Sequence, residues 1–307
     1  MKRFKNVLVA YNDAIGAEDA LKQAAALART NRARLTLIEI SSAGQGAPMA
    51  LQRRQKRLQR MILALRRDGA VDVSARMRTG SDFIEIIRQV LRDGHDLVIA
   101  SAEAGNSVRN VFYGSTATHL MRKCPCPVWI VKPRRTLPYA RILAAVDPDL
   151  ENPAEDALNG KIMDLATSLA MAHEAELHVF HSWDVTGEDR DTLRAPCKDT
   201  TRHMLLAKHE RLHRAGVDAL LKKFPLSHLR HVVHLARGFA EQQIEGIAER
   251  LEIDVIVMGT TGRSGLPALL VGNGAETILS AAKCGVLTVK PEGFESPIRL
   301  QEELAAA

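Results

Sequence analysis

Cysteine, aromatic residues and long apolar runs are all scarce in this chain, and each shortage excludes something. Four cysteines in 307 residues, two of them Cys124 and Cys126 in the run CPCP, match neither a disulfide framework nor the paired CxxC spacing of a zinc site. They read as reduced, mostly buried thiols. Aromatic residues make up 4% of the chain, and none interrupts the basic stretch LQRRQKRLQRMILALRR, so no stacking platform for a single nucleic-acid strand is evident. No apolar run approaches the roughly 20 residues of a membrane span. In MKRFKNVLVAYND a polar residue comes too soon for a secretory signal. The expectation is a soluble cytoplasmic protein with no integral membrane segment and no nucleic-acid partner.

What is present is ample apolar material, 46% of residues, and a modest net charge of +6 unevenly spread. Between Glu39 and Asp68 no acid occurs, while Arg53, Arg54, Lys56, Arg57, Arg60, Arg66 and Arg67 crowd together. Leu51, Leu58, Ile62 and Leu65 form an apolar stripe through that stretch, which predicts a sheet-covering helix with a solvated basic face.

The chain also contains itself twice. Residues 80 to 133 align without a gap on residues 238 to 291, at a constant offset of 158. Few positions are identical, but they include Gly80/Gly238, Asp96/Asp254, Gly114/Gly272, Cys126/Cys284 and the closing VKP. Identity at punctuation points, with apolar type conserved between them, indicates one fold used twice. Upstream, NVLVAYND pairs with RILAAVDP and RLTLIEI with ELHVFHSW. The later copy carries about two dozen extra residues between its second strand and long helix. The prolines and charges of KPRRTLP mark the junction, giving domains at 1–136 and 137–292 and a tail at 293–307.

Within the first copy, strands are predicted near 6–11, 34–40, 71–78, 96–101 and 127–132, and helices near 15–30, 50–68, 81–93 and 115–123. Runs such as VLVAY, VWIV and DVIVM are apolar on both faces, as parallel strands covered by helices must be. The fold class is therefore α/β: two tandem, doubly wound, five-stranded parallel-sheet domains, with any ligand crevice at the carboxyl ends of the strands.

One such end carries GTTGRSGLPALLVGNG, residues 259 to 274. Its glycines let backbone N–H groups face an anion, and a helix start at Asn273 adds unpaired donors. Asn273 with Glu276 is equally a capping pair that would satisfy the helix by itself. The pattern G-x2-G-x9-G after the fourth strand, together with ILAAVDP, CPCPVWIVKP and CGVLTVKP, resembles the universal stress protein family, in a tandem form, over residues 4 to 292.

That resemblance implies a Rossmann-like fold, a pseudo-dimer of the two domains through their last strands, and an ATP site. In the second domain Ala145 and Val146 lead to Asp147, which would hold the adenosine end. Met258, Gly259, Gly262 and Arg263 would line the loop, and Gly272, Asn273 and Gly274 would cradle phosphates, with magnesium accompanying them. Asn273 stands where the family has Ser or Thr, and its amide donates with a different reach. The first domain departs further: Ser101 and Ala104 replace the loop glycines, Asn12 followed by Asp13 replaces the aspartate, and Glu103 puts an acid in the loop. Only Gly114, Ser115 and Thr116 keep the helix-start part. A nucleotide is expected in the second domain.

No catalytic base, G-x-S-x-G elbow or G-x4-GK[ST] loop is recognisable, so hydrolysis is expected to be slow or absent. Most of the eleven histidines lie in the second half. His209 and His213 have helical i, i+4 spacing, but HEAEL at His173 lacks the second histidine of HExxH, and His228, His231 and His234 cannot share one strand face. No metal site is expected. DVTGEDRDTLRAPCKDT reads as a surface loop or a lid, and the tail as a short amphipathic helix. The expected function is a stress-response binding protein that takes an adenine nucleotide and could form a further homodimer. The alternative is a nucleotide-independent carrier or scaffold for an apolar or mixed small ligand.

Overall fold

The computed structural model describes residues 4–12, 16–41, 48–69, 72–102, 115–132, 138–148, 153–260 and 273–300. These fall into two compact units, residues 4–132 with 283–300 and residues 138–260 with 273–282.

The first unit runs β1 (Asn6–Ala10), α1 (Ala17–Asn31), β2 (Arg34–Ser41), α2 (Pro48–Arg67), β3 (Val73–Thr79), α3 (Asp82–Asp93), β4 (Leu97–Ser101), α4 (Ser115–Lys123) and β5 (Val128–Val131). Its strands lie in the order β3-β2-β1-β4-β5, and the four pairings are parallel. Return from each strand to a parallel neighbour needs a crossover, which the helices supply. Val7, Leu8, Leu97, Val98 and Ile99 are fully buried, as central strands covered on both faces require.

The second unit repeats the plan: β6 (Arg141–Ala145), α5 (Pro153–His173), β7 (Glu176–Trp183), α6 (Gly187–Arg194), α7 (Asp199–Leu221), β8 (His231–Arg237), α8 (Ala240–Arg250), β9 (Val255–Gly259) and α9 (Asn273–Ala281). Its strands run β9-β6-β7-β8, again parallel. The last strand of the second copy, β10 (Gly285–Val289), pairs antiparallel with β5, Leu287 opposite Trp129, and clusters with the first unit.

The repeated punctuation has physical causes. Gly80 (φ 148°) and Gly238 (φ 123°) both sit in left-handed backbone where a side chain would be strained, and their N–H groups donate to Ser41 and Trp183 carbonyls. Asp96 accepts the N–H groups of Lys5 and Asn6 at 2.6 and 3.0 Å. Asp254 does the same for Ala140 and Arg141 at 2.6 and 2.9 Å. Each carboxylate thus fastens the start of its copy's first strand to the start of its fourth.

Three expectations need correction. The stretch from 184 to 200 is not an irregular loop: it contains α6, which buries no residue and is held by Asp189 to Lys208 and His209 of α7. Its sequence is polar all round, so periodicity carried no signal. In the tail, residues 293–300 form no helix, and 301–307 lie outside the described residues. In α2 the inward stripe includes Leu58 and Leu65, while Leu51 is 52% exposed. Arg54 and Arg57 turn inward to the buried Glu39 at 3.3 and 2.8 Å, leaving Arg53, Lys56 and Arg60 exposed. Among the described residues no helix is long and apolar enough to cross a membrane.

Candidate functional site

The carboxyl end of β6 delivers Ala145, Val146 and Asp147 in succession. Val146 is buried, and its N–H donates to Phe180 on β7 at 2.9 Å. The Asp147 N–H donates to Asn159 Oδ1 of α5 at 2.9 Å, while its carboxylate remains 39% exposed. A fixed backbone with a solvent-facing carboxylate is the arrangement a ligand hydroxyl or amine can use.

Beneath it lie His181 and Trp183, which the sequence did not single out. Alternation along β7 places His181 and Trp183 on one face. His181 is 1% exposed. Its Nδ1 lies 3.1 Å from the Val146 carbonyl and 3.5 Å from Asp147 Oδ1, and its Nε2 lies 2.8 Å from His213 Nδ1 on α7. The carbonyl can only accept, so His181 Nδ1 carries a proton, and in the neutral ring Nε2 accepts from His213. The Trp183 ring stacks on His213 at 5.8 Å.

At the end of β9, Met258 is buried, Gly259 is half-buried and Thr260 is 1% exposed. Two buried polar atoms here, Thr260 Oγ1 and Asn159 Nδ2, have no hydrogen-bond partner among the described residues. Such groups are costly unless something satisfies them. Asn273 opens α9, and a Cβ added at Gly274 would stand 3.5 Å from Glu241 Oε2. This acid beside the helix start was not foreseen; it complements the α9 dipole and would face any phosphate arriving there. Gly262, Arg263 and Gly272 lie outside the described residues.

The corresponding crevice of the first unit is nearly filled. Tyr11, Asn12, Ile40, Asp82, Ser101 and Thr116 line a cavity of about 40 Å³, against roughly 300 Å³ or more for ordinary ligand sites. Ser101 donates to Asn12 Oδ1 at 3.3 Å, and the Arg57 guanidinium covers the Tyr11 ring at 5.6 Å. Ser115 is exposed at the start of α4; Asp13 and Gly114 lie outside the described residues.

The i, i+4 histidines of α7 do not converge: His209 reaches Asp189 at 3.0 Å and His213 reaches His181. Among the described residues no three His, Cys, Asp or Glu side chains are grouped to hold a metal.

A model of the universal stress protein family matches residues 3–132 and 138–290. The chain belongs to the universal stress protein family. It is a tandem member, similar to Universal stress protein E of Escherichia coli K12, with 32% identity over 222 residues that cover 72% of this chain and 69% of the relative. Universal stress protein E of Photorhabdus laumondii is 28% identical over 71% of this chain and 68% of its own. Among solved structures, a protein of unknown function from Pseudomonas aeruginosa PAO1 superposes with a TM-score of 0.77 at 25% identity, covering 99% of this chain and 98% of that one. A putative universal stress protein from Pseudomonas aeruginosa UCBPP-PA14 gives 0.76 at 25% identity, with coverages of 100% and 99%.

On the other face of β7 in this family member, His178 Nδ1 lies 2.9 Å from His234 Nε2 on β8. Burial holds both rings below the ordinary histidine pKa, as it does His95 and His173. The unfolded chain therefore binds more protons once the pH drops to the ordinary value of about 6.5. The stability these neutral rings contribute is present above that pH and is lost as pH falls through the window below it. Calorimetric unfolding midpoints should decline from pH 7 to 5, with a shallower decline in a His178→Leu, His234→Leu variant; an unchanged slope would remove this pair as a cause.

Proposed function

We propose that this universal stress protein is a cytoplasmic stress-response protein that binds ATP or a related adenine nucleotide in its second domain and acts by binding, with hydrolysis slow or absent. The observation that carries the reading is the half-exposed Asp147 carboxylate at the end of β6, with its backbone N–H fixed by Asn159 and its Oδ1 3.5 Å from His181 Nδ1, followed across the sheet by the β9 glycine. Asp147 is a fitting acceptor for ribose hydroxyls, and the orphaned Thr260 hydroxyl and Asn159 amide are further polar groups for the ligand or its water. Gly259 and Gly262, with Arg263, would form the loop, and Gly272, Asn273 and Gly274 the phosphate end. Magnesium would offset the repulsion between phosphates and Glu241.

The domain limits that accompany this reading are 1–136, 137–292 and a 293–307 tail, with the two copies paired through their last strands as an internal pseudo-dimer. The antiparallel β5–β10 ladder supports that pairing. The first domain serves as a support, consistent with the small volume of its crevice.

The direct test is mass spectrometry of small molecules released by denaturing the purified protein, followed by titration with ATP and magnesium. Retained adenine nucleotide or micromolar affinity is the expected result. Neither retention nor binding would sink the reading and leave the glycine stretch as a turn before a self-capped helix.

A further inference from the structure

The second unit contains a cavity of about 330 Å³ that the nucleotide reading does not use. It lies along the edge strand β8, beside Phe180 of β7 and the face of α8 that carries Gln243, Gly246, Ile247 and Arg250. Those helix positions follow the i, i+3, i+4, i+7 pattern of a single face. The volume falls in the range of small-molecule sites, roughly 300 to 1,000 Å³.

Its chemistry is two-sided. Phe180 and Ile247 provide the apolar part of its wall, while the side chains of Val233 and Leu235 alternate to the opposite face of β8 from His234. Arg214 and Arg250 stand exposed at its rim, and neither has an ion-pair partner among the described residues. His234 and the Gln243 carboxamide add polar groups between them. Burial holds the His234 pKa down, followed by His178 and Arg250, with Glu176 pulling the other way.

The internal repeat shows that the opening is specific to this copy. At the offset of 158, Gly246 corresponds to Arg88 and Gln243 to Glu85. In the first unit Arg88 and Glu85 pair at 2.8 Å with side chains only 16% and 12% exposed, and the Arg299 carbonyl of the tail lies 3.4 Å from Arg88 Nε. The same fold position is thus filled in one copy and open in the other. In the open copy a glycine sits in mid-helix, where alanine would be more stable, and an added Cβ would meet nothing within 4 Å.

We propose that this cavity is a second ligand site, taking a small organic carboxylate with an apolar body, its carboxylate held between Arg214 and Arg250 and its body against Phe180 and Ile247. Guanidinium forks suit a planar carboxylate, which they can hold through two parallel N–H donors. The site is separate from Asp147 and stands whether or not the nucleotide reading does; it gives the carrier reading a location.

Phenylacetate is the probe, titrated calorimetrically into the full-length protein, with methyl phenylacetate and inorganic phosphate as comparisons. Saturable phenylacetate binding is expected, weaker by about tenfold or more for the ester and in the Arg214→Gln, Arg250→Gln variant. Gly246→Leu should abolish binding by occupying the cavity while keeping or raising the unfolding midpoint, and ATP affinity should be unchanged in both variants. The proposal fails if phenylacetate does not bind at about 10 mM, if the arginine variant binds it as well as the parent, if phosphate binds equally tightly, or if ATP displaces it. Should Gly246→Leu fail to fold, the arginine variant alone decides.

Discussion

Replacing Asp254 by alanine is expected to lower the stability of the second unit by about 3 kcal/mol, because a buried carboxylate accepting two backbone N–H groups leaves both donors unpaired when removed. For a domain of this size each kcal/mol moves the midpoint by roughly 2–4 °C, so a fall near 10 °C should be visible by calorimetry. Asp254→Asn keeps one acceptor oxygen and should lose about half as much. Asp96→Ala should act in the same direction on the first unit, where the carboxylate meets Lys5 and Asn6, but less strongly, since Asp96 is only half-buried and water can reach the freed donors. The two losses should add, since the sites share no partner. A midpoint within a degree of the parent for either alanine variant would show that water replaces the carboxylate without penalty.

The second large effect concerns the ligand. Asp147→Ala should weaken ATP binding about 10- to 100-fold, the worth of one or two hydrogen bonds to a charged group, while Asn12→Ala at the equivalent place in the first unit should leave it unchanged. The asymmetry follows from geometry: Asp147 presents a 39% exposed carboxylate, whereas Asn12 is tied to Ser101 at the wall of a 40 Å³ cavity. Thr260→Val, which removes only a hydroxyl, should give a smaller loss. If titration shows equal affinity for the Asp147 variant and the parent, the adenosine end binds elsewhere. Phosphate release that depends on Asp147 would instead mark the protein as a slow ATPase.

Much of this fold was legible because its strands are short, apolar on both faces and bounded by glycine or aspartate. The expected strand at 34–40 is β2 at Arg34–Ser41, and the expected helix at 81–93 is α3 at Asp82–Asp93. Cys124, Cys126 and Cys284 are buried and free, as the spacing suggested, and Cys197 is half-buried. The helix α6 was not legible, since GEDRDTLR has no apolar face to announce it. Among the site residues, Asp147, Met258 and Gly259 stood out through family resemblance. His181, Asn159 and Thr260 did not, although ELHVFHSW does place His181 and Trp183 on one face.

The sequence by itself determined the doubled α/β plan, the order of its elements apart from α6, and the recurrence of glycine at 80 and 238 and of aspartate at 96 and 254. These follow from local periodicity and from residues whose backbone demands are intrinsic, such as Gly80 and Gly238. Tertiary structure alone decided which partners met across long separations. It sent His209 to Asp189 and His213 to His181, turned Arg54 and Arg57 onto Glu39, laid β10 antiparallel on β5, and left a cavity at Gly246 where the first copy has an ion pair. The physical reason is that burial pattern fixes which face a side chain points from, whereas the group it meets depends on how separately formed elements pack.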